Sequence, residues 1–175
     1  MPKRPPARIY HQEKASSASA LFQTRTKRRI RREVYRLIRR ERPTQALKYI
    51  SAKGQDRRLK AAETDFLKSL IARSYYIEGK IASSLKLAQE ATRSRTLVPM
   101  SDWHAALAAW RLGKSELATE HFAQLANTTT ISAQLRARAS YWTARGLRKA
   151  GKISEAEPYF KTAAESGPYF YALLG

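Results

Sequence analysis

The sequence predicts an all-α solenoid built of helical hairpins, and three observations carry that expectation. Residues 102–126 (DWHAALAAWRLGKSELATEHFAQLA) and 139–165 (ASYWTARGLRKAGKISEAEPYFKTAAE) state one pattern twice: a small-residue-rich helix, a Gly-Lys turn and a second amphipathic helix. The register repeats as well. Ala118 and Phe122 follow Gly113 by five and nine residues, and Ala156 and Phe160 follow Gly151 in the same way. Finally, Gly and Pro are scarce at 7 each, and no candidate strand exceeds about four residues. A repeated helical hairpin that cannot bury its apolar face alone stacks on its neighbours into a solenoid.

Taken in order, residues 1–18 form a basic tail expected to be disordered, with Pro2, Pro5 and Pro6 near its start. A basic helical segment over 19–55 follows. Leu21, Phe22, Ile30, Val34, Leu37 and Ile38 give a helical stripe over 19–41, and arginines surround it. Pro43 stops that helix and Thr44 is placed to cap a short one ending at Gly54. The repeat domain spans 56–175. Asp56 is placed to cap a long helix over 57–78, with Leu59, Ala62, Phe66, Leu70, Ala72, Tyr75 and Tyr76 inward. Gly79-Lys80 turns the chain into a helix over 81–94, and Ser101 or Asp102 caps the next. The turn glycines Gly79, Gly113 and Gly151 lie 34 and 38 residues apart, and the first spacing equals the tetratricopeptide period.

Composition narrows the function classes. Net charge is +20, and it is uneven: residues 1–60 hold 19 Lys/Arg against 4 Asp/Glu, while residues 61–175 hold 15 against 10. Such a field attracts polyanions: nucleic acid, an anionic membrane or wall surface. Within it Arg28, Arg29, Arg31, Arg32, Arg36, Arg39 and Arg40 are candidate polyanion ligands. Cysteine is absent, which excludes disulfides, thiolate metal sites and thiol catalysis. His104 and His121 fall on separate helices of one hairpin, and two imidazoles make an incomplete metal set. No metal or cofactor is assigned. No stretch is long and apolar enough to span a membrane, and the N-terminus lacks the apolar core of a secretory signal.

The runs DWHAALAAWRLG, EHFAQLA, SYWTARGLRKAG, AEPYFKTAAE and PYFYALLG together resemble the helical domain of soluble lytic murein transglycosylases. The resemblance covers about residues 56–175. It rests on Trp103, on Ala118 to Phe122, on Tyr141 to Arg145 and on Phe170 to Leu174. It implies a right-handed superhelical solenoid of tetratricopeptide-like hairpins, on which a lysozyme-like catalytic domain sits. The family cleaves peptidoglycan without water through one Glu in a Glu-Ser pair. The only Glu-Ser here, Glu165-Ser166, ends a repeat helix, and a solvated lone carboxylate lacks the low-dielectric cleft that acid catalysis requires. No catalytic residue is assigned. Trp110 and Trp142 are candidates for glycan stacking or for packing between hairpins. Tyr169, Phe170 and Tyr171 are candidates for contact with a following domain.

The expected function is thus a non-catalytic helical domain of a lytic transglycosylase, binding peptidoglycan in the periplasm. The alternative is a tetratricopeptide-like adaptor that grips nucleic acid or an acidic protein through its basic helix, cytoplasmic if the chain is complete.

Overall fold

The computed structural model describes residues 20–165 apart from Lys53 and Gln55, with the backbone alone for Asp56. It is all-helical. Among the described residues eight α-helices are bounded: α1 (Arg25–Arg39), α2 (Pro43–Ser51), α3 (Ala61–Ile77), α4 (Ile81–Ala91), α5 (Met100–Arg111), α6 (Ser115–Ala126), α7 (Ala133–Lys149) and α8 (Ile153–Glu165). Short 3-10 turns at Asp56–Arg58 and Thr92–Ser94 lie between them. There is no strand among the described residues.

One backbone motif closes the successive hairpins. After α3, α5 and α7 the chain turns through Gly79, Gly113 and Gly151, with φ of 79°, 75° and 78°. At each turn the following lysine amide reaches back over the helix end. Lys80 N–H donates to the Tyr75 carbonyl at 2.9 Å, Lys114 to Ala109 at 3.0 Å and Lys152 to Leu147 at 2.9 Å. This is the Schellman arrangement, which satisfies carbonyls that a helix end leaves open. The same arrangement joins α1 to α2, with Arg42 N–H donating to the Leu37 carbonyl at 3.0 Å. There Glu41 takes the left-handed position, with φ of 57°. A side chain in that region costs about 1–2 kcal/mol, so the sequence marks the break by Pro43 and not by the left-handed residue.

Several boundaries differ from the sequence expectation, each for a local reason. The helix expected over 19–41 is interrupted: Ala20 and Leu21 are helical, the chain breaks at 22–24, and α1 begins at Arg25, where Thr24 Oγ1 accepts the Lys27 amide at 3.3 Å. Phe22 precedes it and is buried edge-on against Phe66, ring centroids 5.5 Å apart. Pro43 is the first residue of α2 rather than a stop alone; it needs no amide donor there. The cap expected at Asp56 falls instead at Lys60, whose amide donates to Glu63 Oε2 at 2.7 Å. The helix expected over 81–94 divides into α4 and a 3-10 turn. Asp102 lies inside α5 rather than capping it.

A continuous apolar core runs from Phe22, Ile30 and Val34 through Leu67, Ile71 and Leu85 to Ala105, Ala109 and Phe122. A smaller cluster joins Leu125 and Ala126 to Leu135 and Ala139. α3 packs against α1, α2, α4 and α5. It therefore buries Leu67 and Ile71 in addition to the inward face expected from its sequence. In α5, Ala105, Ala106, Ala108 and Ala109 are fully buried, so neighbouring helices approach from several sides.

The tightest approach is at Gly146 of α7. A Cβ there would lie 1.9 Å from Thr119 Oγ1 and 3.0 Å from Thr119 Cβ on α6. Replacing Gly by Ala in a helix gains about 1 kcal/mol in propensity, but overpacking costs about 1–3 kcal/mol. Gly146→Ala is therefore expected to destabilise by about 1 kcal/mol in urea unfolding. On a Thr119→Ala background the cost should shrink, because Oγ1 and Cγ2 are gone and only Cβ, at 3.0 Å, remains. A stabilising single Gly146→Ala would contradict this reading of the α6–α7 contact.

Candidate functional site

The basic residues of α1 are sorted by the helix. At about 100° per residue, Arg25, Arg28, Arg29, Arg32, Arg36, Arg39 and Arg40 fall within a band roughly 120° wide. All seven are exposed. The opposite side is sealed: Ile30 and Val34 are fully buried and Leu37 nearly so. Two basic residues of α1 lie off the band. Arg31 packs over the Phe22 ring, 5.4 Å from its centroid. Lys27 Nζ lies 2.6 Å from Glu63 Oε1 on α3. Of the expected polyanion ligands, then, six share the ridge and Arg31 does not, while Arg25 joins it. The helical period identifies Arg25; composition alone does not.

Glu33 is the one acidic residue of α1. Arg36 Nε donates to Glu33 Oε2 at 2.8 Å, and Arg36 Nη2 to Oε1. This guanidinium holds the Glu33 carboxyl below its ordinary value, by hydrogen bonding first and by charge second. A depressed folded-state value means that the stabilisation is present above the ordinary carboxylate range. It is lost as pH falls through the depressed value. In Arg36→Gln the Glu33 carboxyl should titrate closer to the ordinary range by carboxyl-carbon NMR; an unchanged midpoint would mean that Arg36 does not hold it.

The aromatic candidates form a ladder across α5, α6, α7 and α8. Trp103 meets Phe122 edge-on at 5.4 Å, and Phe122 stacks on Trp142 at 5.9 Å. Trp142 meets Trp110 at 5.3 Å and Tyr141 at 6.0 Å, and Tyr141 meets Phe160 at 6.3 Å. Cations lie over the outer rings. Arg145 sits 4.9 Å from the Trp142 ring and Lys149 5.6 Å from the Trp110 ring. Trp110 and Trp142 are half-buried, so these contacts occupy much of the ring surface on which a sugar would stack. Tyr169, Phe170 and Tyr171 lie outside the described residues.

The histidines fall into separate polar contacts. His104 Nδ1 lies 3.0 Å from Ser69 Oγ. His121 Nδ1 lies 2.8 Å from Asp102 Oδ1, and a carboxylate only accepts, so Nδ1 holds the proton. Arg95 Nε and Nη2 donate to the same carboxylate at 3.1 and 3.3 Å. A matching contact holds Asp65 of α3, which accepts from Arg93 Nη2 at 2.9 Å and from Ser94 Oγ at 2.5 Å. Both carboxylates are buried. Among the described residues no group of three His, Asp or Glu side chains is placed to hold a metal ion.

Comparison of the chain with protein-family models, with curated proteins and with solved structures finds no match.

Glu165, the carboxylate of the Glu-Ser pair, is exposed and lies 3.8 Å from Lys161 at the end of α8.

Proposed function

We propose that this chain is the non-catalytic helical domain of a soluble lytic murein transglycosylase. In this reading it is a right-handed superhelical array of tetratricopeptide-like hairpins, works in the periplasm and binds peptidoglycan. A lysozyme-like domain supplies the chemistry. One observation carries the reading. Trp103, Phe122, Tyr141, Trp142 and Arg145, which bear the resemblance in sequence, meet in one packed ladder. Those motifs thus have a common physical reason, namely the packing of successive hairpins.

Cosedimentation with purified murein sacculi tests it. The chain should pellet with sacculi and release no 1,6-anhydro muropeptides by mass spectrometry. A chain that stays in the supernatant has no part in wall binding, and one that releases anhydro products is an enzyme in its own right.

A further inference from the structure

The arginine ridge of α1 has no role in the hairpin packing, and its geometry suits a partner more specific than a generic anion. The ridge runs from Arg25 to Arg40, about 22 Å at the helical rise. Along that length a duplex presents about six phosphates of one strand, at roughly 3.4 Å of axis each, facing seven arginines of which one, Arg36, also holds Glu33. We infer that the exposed ridge of α1 is a docking surface for double-helical nucleic acid, read through its phosphate backbone and not through its bases.

Three features decide among polyanions. The ridge is all arginine; the only lysine of α1, Lys27, is held by Glu63. Arginine's planar fork matches phosphate oxygens in pairs, where lysine offers a point charge. The apolar side of α1 is closed against the core at Ile30 and Val34. It cannot insert between lipids, which is how amphipathic helices bind bilayers firmly. Lastly, the ridge contains no aromatic residue on which unpaired bases would stack, so a single strand gains little from it.

This inference stands on α1 alone, and its failure leaves the murein reading in place. The test is fluorescence anisotropy of the whole chain with a labelled DNA duplex of about 24 base pairs, across a range of NaCl. The plot of log affinity against log salt should fall with a slope of about −4 to −6. Arg28→Glu with Arg32→Glu should lower affinity at least about tenfold and flatten the slope by about two. Arg28→Lys with Arg32→Lys preserves charge and should still weaken binding severalfold. Lys86→Glu with Arg148→Glu makes the same charge change off the ridge, at exposed positions, and should have little effect. Circular dichroism establishes that each variant is folded. Absence of duplex binding by the folded parent overturns the inference. So does an equal loss in the off-ridge variant, or binding to phosphatidylglycerol vesicles that the duplex does not compete away.

Discussion

Phe122→Ala is expected to destabilise the protein by about 3–5 kcal/mol, the largest effect of any single substitution considered. Phe122 is fully buried on α6. Its ring lies against Trp103 of α5 and Trp142 of α7, so truncation opens a void where three helices meet. The indole rings are too large and too constrained to collapse into it, and the cavity cost adds to the lost transfer energy. Aromatic pairing beyond burial contributes a further share, about 0.5–1.5 kcal/mol per pair. Total stability of a small domain is about 5–15 kcal/mol. Urea unfolding should therefore show a midpoint far below the parent's, with residual structure lost together. Phe122→Leu retains most of the volume and should lose far less. A loss below about 1 kcal/mol in Phe122→Ala would show that the ladder repacks.

Asp102→Ala is the second large effect, expected at about 2–3 kcal/mol. Asp102 is 1% exposed and receives Arg95 and His121 together. Removing it leaves the buried His121 Nδ1–H with no acceptor, which costs about as much as an unmade hydrogen bond in the interior. Arg95 is 40% exposed and recovers part of its loss by turning to water, which keeps the figure below that for a fully buried pair. Asp102→Asn should recover only part of the stability. Its carbonyl can accept from His121 or from Arg95, but its amide group then faces the other donor. The measurements are urea unfolding and hydrogen exchange of the 92–98 amides. Unchanged exchange there in Asp102→Ala would mean that the carboxylate does not hold that segment.

The all-helical class and three of the turns were legible, because those turns are written with glycine. The left-handed backbone at Gly79, Gly113 and Gly151 nearly demands that residue, so the Gly-Lys pairs mark the turns. The turn at Glu41 uses the same hydrogen bonds without the glycine, and there only Pro43 marked the break. Gly146 was equally silent. A lone glycine in a helical pattern reads as a weakness, and only the three-dimensional approach of Thr119 reveals it as a close contact. Asp102 misled for another reason. An aspartate before an apolar helical run suits an N-cap, but here the buried carboxylate accepts from Arg95 and His121. Asp65 left no signal at all, since its partners lie 28 and 29 residues away. The arginine ridge was visible as composition and became a surface only when the helical period separated Arg31 from the rest.

The segment between α4 and α5 is tied at both ends. Arg93 and Ser94 hold Asp65 on one hairpin, and Arg95 holds Asp102 on the next. The two hairpins therefore share one clamped joint, which resists bending and twisting between them. The link between α6 and α7 is tied differently: Arg136 Nη2 donates to the Thr128 and Thr129 carbonyls at 3.3 Å each, and the helices it joins meet by close packing, Phe122 on Trp142 and Gly146 on Thr119. The first joint is thus electrostatic and the second steric, so the loss of a charge loosens one and a change of volume loosens the other.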